Sequence, residues 1–140
     1  MLWHDCSATN TTLMGYDMVP DAIKVKKSSR CVALTYDGCE YELSYEFLRV
    51  HSPSAEVRGH GVGNEVLQYG KKDVGLLSME PAGNYALKLV FDDGHDSGLY
   101  DWKYLHHLAT HQESLWQEYL ERLEKAGKSR ESGQINFRAL

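Results

Sequence analysis

Apolar residues alternate with polar ones from Ile23: Ile23 and Val25 are followed, after the polar run Lys26 to Arg30, by Cys31, Ala33 and Thr35. A period of two predicts two strands. Asp37-Gly38 is a hairpin signal, and Glu40 to Leu43 is the return strand. Ser44 then caps a short helix, its hydroxyl accepting from the first turn's unpaired amides, with Glu46 set early against the helix dipole. That helix carries Phe47 and Leu48 and stops before Pro53. A second hairpin is predicted from Val74 to Met79, through a turn at Glu80 to Asn84, and back from Tyr85 to Phe91, with Tyr85, Leu87, Leu89 and Phe91 facing inward. Asp92-Asp93-Gly94 turns the chain once more.

The chain echoes itself here. Leu34 to Leu48 and Leu89 to Leu105 both run from strand to Asp-Gly turn to a short extended return, then to a capping residue, Ser44 or Asp101, with a leucine four positions later. The pattern predicts one strand-turn-helix unit used twice, each laying a short helix on a mainly antiparallel sheet. The fold class is therefore α+β, completed by a C-terminal amphipathic helix. In that helix Thr110 and Glu113 read as a capping box, Glu118 with Arg122 and Glu121 with Lys125 are favourable pairs, and Gly127 marks the end. Its apolar stripe is Leu115, Trp116, Tyr119, Leu120 and Leu123. The Trp116 and Leu120 face is expected to stay partly open for a partner or for a second copy of the chain, as a homodimer.

Three regions follow. Residues 1–21 lack any period and read as a flexible arm, 22–127 form the domain, and the polar, weakly basic residues 128–140 read as a disordered tail. Inside the domain, residues 54–72 are glycine-rich and aperiodic, a long surface loop of the kind that often carries function.

Composition narrows the partners. The 140 residues suit one core, and 15 Lys and Arg against 20 Asp and Glu give a net charge of -5, the wrong sign for binding phosphate backbones. Nucleic acid is not expected. No window reaches the roughly 18 apolar residues of a membrane span, and the first basic residue is Lys24, so the expectation is a cytoplasmic protein without a membrane partner. Cys6, Cys31 and Cys39 form an odd set without a C-x-x-C pair, which argues against a disulfide framework and against a zinc knuckle.

Candidate chemistry is sparse. His95 sits in DDGHDSG beside Asp92, Asp93 and Asp96, where a turn histidine bonded to a neighbouring carboxylate or carbonyl is the plainer reading and a metal ligand the sharper one. His107 and His111 are four apart, but the Thr110 capping box places a helix break between them, so both read as exposed polar positions. GHGVGN, Gly59 to Asn64, has Arg58, His60 and Lys71-Lys72 nearby, yet it neither follows a strong strand nor opens a helix, so it fails as a dinucleotide loop. It remains the segment best suited to an anionic partner. Cys31 and Cys39 read as packed strand residues, and the adjacent acids Asp92 and Asp93 as turn caps rather than catalysts.

From Ile23 to Lys125 the chain resembles the domain at the N-terminus of gamma-butyrobetaine hydroxylase, which bacteria also encode as a small free-standing protein. The matching stretches are Ser28 to Arg30, the YDG turn, ELSYEFLRVHSPSAEVRGHG (Glu42 to Gly61), Gly70 to Leu105, and LWQEYLERL. The resemblance implies a compact α+β domain that accompanies other proteins. In the hydroxylase it precedes a 2-oxoglutarate and iron oxygenase domain, and a related domain ends an iron-sulfur scaffold ATPase of chloroplasts. It also implies a structural zinc site of the form C-P-C-x-x-C plus a histidine, whose places here are Ser52, Ser54, Val57 and His95. Hydroxyls and an aliphatic branch cannot supply the thiolates that zinc requires, so a hydrogen-bonded loop, with Ser52 and Ser54 bonding to backbone or to His95, is expected instead. The same geometry would bring His51 near His95.

The resulting expectation is a non-enzymatic accessory or protein-binding module with no cofactor, acting on an unidentified protein partner through His95, Asp96, Arg58, His60 and His51. The alternative is a metal-binding or iron-sulfur-related accessory protein in which His95, joined by His51, holds an ion weakly.

Overall fold

The computed structural model describes residues 18–54, 57 and 66–131. Among the described residues the ordered elements are, in chain order, β1 (Ala22–Lys26), β2 (Cys31–Tyr36), β3 (Cys39–Ser44), α1 (Tyr45–Val50), β4 (Leu76–Ala82), β5 (Ala86–Phe91), β6 (Leu99–Asp101), α2 (Trp102–Thr110) and α3 (Gln112–Ala126). The single sheet expected from the pattern is two antiparallel three-stranded sheets, β1-β2-β3 and β4-β5-β6. The α+β class, the antiparallel pairing and the C-terminal helix are as the pattern predicts. The predicted flexible arm, as far as residue 17, lies outside the described residues.

The repeated unit is present in both halves. β2, β3 and α1 make the first copy, and β5, β6 and α2 the second. Each helix begins on the residue read as its cap: Ser44 Oγ accepts from the Phe47 amide at 3.0 Å, and Asp101 Oδ1 accepts from the Tyr104 amide at 2.8 Å. Asp37 and Gly38 adopt φ of 51° and 85°, the left-handed pair that lets a two-residue turn follow the strand twist.

Both copies feed one core. Leu34, Leu43 and Leu48 from the first copy and Leu89, Phe91 and Tyr100 from the second are almost wholly buried, and Leu105 and Leu108 of α2 close over them. A smaller cluster joins Val50 to Tyr119 and Leu123 of α3. Arg30, at φ 54° in the β1–β2 turn, stitches the sheets together by donating to the carbonyl oxygens of Asp73 and Val74.

Three local readings are corrected. β4 runs on through Pro81 and Ala82, so the turn is Gly83 to Tyr85 and Tyr85 is exposed rather than inward. Pro81 is tolerated because β4 is an edge strand, where a missing amide breaks no ladder bond on the open side. Thr110 does not cap α3: it ends α2, and its hydroxyl donates back to the His106 carbonyl, while the cap position falls on His111, whose ring makes no capping bond to the α3 amides. Of the described cysteines, Cys31 is a buried free thiol and Cys39 is disulfide-bonded, against the reading that set disulfides aside.

Trp116 and Leu120 are half-buried and pack on the protein's own clusters. Residues 128–131, read as the start of a disordered tail, dock back on the domain. No helix among the described residues is long and apolar enough to cross a membrane.

Candidate functional site

α1 ends with His51 as its C-cap, and Pro53 prevents the helix from resuming, so Ser52 to Ser54 leave the helix as a short irregular segment. Opposite lies the long turn between β5 and β6. There the Phe91 amide donates to the His95 carbonyl, and the His95 amide donates to Asp93 Oδ1, which coils Asp92 to His95 into a closed loop and turns the imidazole inward. The two segments meet tightly at Gly98, where a Cβ would lie 2.4 Å from Ser52 Oγ and 3.2 Å from Pro53 Cδ. Only a residue without a side chain allows this approach.

Within the junction Ser52 Oγ is 2.8 Å and Ser54 Oγ 3.4 Å from His95 Nε2, and the Ser54 amide donates to Ser52 Oγ. All three side chains are buried, Ser52 at 1% exposure. The serines thus take the places implied by the resemblance and bond to His95, as expected. The Tyr100 hydroxyl donates to the Leu48 carbonyl at 2.5 Å, and that of Tyr104 to the His51 carbonyl at 2.6 Å, so the second copy also grips the end of the first copy's helix. Burial pushes the Tyr100 phenol far up, keeping it a neutral donor.

Beside the junction, Asp93 Oδ2 accepts from Arg49 Nε at 2.9 Å and from Lys71 Nζ at 2.7 Å. Burial alone would raise the Asp93 pKa. The bonds from Lys71 and the His95 amide, with the Arg49 charge, outweigh it and hold the carboxyl at about 2. Arg49 also donates to Gln68 Oε1, so the loop's far end is tied to the same carboxylate.

The predicted residues do not all converge. His95 is in the junction, buried, and Asp96 is exposed on its rim. Arg58 and His60 lie outside the described residues. His51, expected beside His95, points the other way: Nδ1 bonds to the Phe47 carbonyl at 2.9 Å, the ring leans on Phe47 and Tyr119, and it lines a groove of about 560 Å³ with Leu115, Glu118 and Arg122. Burial lowers its pKa. His107 and His111 are exposed, as read, although their rings lie 4.5 Å apart across the helix break.

Chemically, a serine hydroxyl bonded to an imidazole has the geometry of an activated nucleophile. Ser52 Oγ is nevertheless sealed beneath Gly98 and Pro53, where no substrate carbonyl reaches it in this arrangement. Nor do the residues fit a zinc ion. The position offers two hydroxyls, the Val57 side chain and one imidazole whose Nε2 already faces the serines. Among the described residues no three His, Cys, Asp or Glu side chains gather as a ligand set. The residues that the sequence does not reveal are Arg49 and Gly98, and Lys71, noted there as a basic neighbour of the glycine-rich loop, is found paired with Asp93. Arg49 lies on a helix that hydrophobic pattern alone describes, and its partners Gln68 and Asp93, 19 and 44 positions away in sequence, leave no local signal.

A family model described as "Gamma-butyrobetaine hydroxylase-like, N-terminal" matches residues 23–106. Two solution structures of unspecified proteins are similar to the chain: one is 58% identical, with a TM-score of 0.74 over 84% of this chain and 94% of its own, and the other 53% identical, with 0.68 over 81% and 85%. A crystal structure of a protein of unknown function from Acidithiobacillus ferrooxidans, assigned to the DUF971 family, is 32% identical with a TM-score of 0.54 over 66% of this chain and 93% of its own. No curated protein matches. With a family model covering more than half of its length and these structures sharing its fold, the chain belongs to the gamma-butyrobetaine hydroxylase-like N-terminal domain family.

Proposed function

We propose that the chain is a non-enzymatic accessory module of the cytoplasm that binds a protein partner through the surface around the junction, without a bound cofactor. The observation that carries this reading is the Ser52–Ser54–His95 contact, which fixes the segment after α1 and the Asp92–Gly98 turn side by side and buries all three side chains. In this reading His95 positions the surface rather than touching the partner, because it is 7% exposed. Asp96 on the rim supplies one charged contact, and Arg58 and His60, which lie outside the described residues, are proposed from the sequence as further ones; the chain's net charge of -5 favours a protein partner over nucleic acid.

The test is quantitative capture from cell extract with the wild type and with a variant carrying Arg58→Glu, His60→Glu and Asp96→Arg. The reading expects a defined protein held by the wild type and reduced at least about tenfold by the variant at unchanged melting temperature, since rim charges steer and select partners. Equal capture by both chains contradicts it. Stoichiometric zinc or iron in the purified wild type, lost in His95→Ala, would favour the metal-handling alternative instead.

A further inference from the structure

Glu46 lies in the first turn of α1, away from the junction, with only 6% of its surface exposed. A carboxylate so enclosed needs a cation held in good geometry. It receives one from 84 residues away: Arg130 donates through Nε to Oε2 at 2.8 Å and through Nη2 to Oε1 at 2.7 Å, a two-pronged fork. The same guanidinium stands 5.2 Å from the centre of the Trp116 ring.

The backbone on either side of Arg130 is also read. The Gly70 amide donates to the Ser129 carbonyl at 2.9 Å, and the Lys72 amide to the Arg130 carbonyl at 3.0 Å. Lys72 Nζ meets Glu131 at 3.2 Å, and Lys128 Nζ lies over the Tyr69 ring at 4.7 Å. Four consecutive residues therefore supply every one of these contacts, and the domain supplies a buried acid, an indole wall and a rim of two amides.

We infer that this site recognises an arginine-bearing peptide segment of a partner protein, with Lys128 to Glu131, bent at Arg130 and Glu131, as its occupant in cis. Main-chain hydrogen bonds combined with a pocket for one side chain are a recurrent way of binding peptides, and nothing in the contacts requires the segment to belong to the same chain. A tethered occupant competes at an effective concentration in the millimolar range, so a partner segment binds measurably only when it offers more contacts or when the tail is displaced. This inference stands on contacts apart from the junction and does not rest on the function proposed above.

The test uses the full chain carrying Arg130→Ala, which clears the pocket, titrated with the synthetic peptide Gly-Lys-Ser-Arg-Glu that reproduces residues 127–131. The variant is expected to melt below the wild type, and the peptide to raise that melting temperature and change tryptophan emission saturably. The same peptide with alanine for arginine should do neither, and adding Glu46→Gln to the variant should abolish the response. The wild type, already occupied, should need about ten times more peptide or more. Equal responses to the two peptides, or none, overturn the inference. Should Arg130→Ala fail to fold, Arg130→Lys, which keeps the charge but not the fork, is titrated in the same way and read by the same criteria.

Discussion

The two copies of the repeated unit use one local grammar and differ in what joins their strands. In the first, Asp37-Gly38 reverses the chain in two exposed residues, and nothing lies within 4 Å of where a Gly38 Cβ would be. In the second, seven residues separate β5 from β6, and the extra length carries His95 into the core of the junction while Gly98 closes on Ser52. The tight turn connects strands; the long one also holds the two copies together. Lengthening a turn is entropically mild, which makes it an inexpensive place to add such a contact.

The comparison is sharpest at the two glycines. Gly98→Ala forces Ser52 or the turn to move and is expected to cost about 3 kcal/mol in urea unfolding, the upper part of the range for overpacked sites. Gly38→Ala meets open space and pays only for a left-handed φ, about 1 kcal/mol. Equal costs would mean that the junction is looser than the Gly98 approach indicates.

Next in size is His95→Ala, which leaves Ser52 and Ser54 buried without their imidazole and is expected to destabilise by about 2 kcal/mol. A double-mutant cycle with Ser52→Ala should recover a coupling of about 1 kcal/mol, whereas His95 paired with Ser44→Ala in the other turn region should be additive. The caps come third: Ser44→Ala and Asp101→Ala should each cost about 1 kcal/mol, alike because both copies use the same bond.

Smallest are the pH effects, which separate the two faces of α1. Asp93 is held at about 2, below its ordinary 3.8, so its stabilising contribution is complete above pH 4 and lost as pH falls towards 2. Asp93→Asn should flatten that limb of the stability curve. The His51 pKa lies below the ordinary 6.5 because the ring is buried, so folding resists its protonation and stability declines as pH drops below about 6.5. His51→Gln should reduce that slope, leaving the share of His106 and His107, whose pKa values burial also lowers, and leave the acid limb of Asp93 intact.

Much of the fold was legible because its signals are local. Ser44, Asp37-Gly38, Asp101 and Gly127 each act within four residues, and each stands where the pattern places it. Tyr85 and Thr110 were misread where tertiary context overrides a local rule: an edge strand extends past Pro81, and a threonine in the last turn of a helix bonds backwards rather than forwards. The junction was legible only through the resemblance, which brought Ser52, Ser54 and His95 together. Spacing alone gives no reason to pair residues more than 40 positions apart. His51 was misplaced because the C-cap turn points its ring towards α3, and the Glu46–Arg130 pair escaped notice because 84 residues separate its members.

We propose that hydrogen bonds among Ser52, Ser54 and His95, without an ion, close the contact between the copies. Thermal unfolding of wild type and His95→Ala, each with a strong chelator, with added zinc and with neither, tests it most directly. One wild-type melting temperature is expected under all three conditions, with the His95→Ala curve lower by several degrees in each. A wild-type curve that falls with chelator and recovers with zinc, while His95→Ala responds to neither, would contradict it.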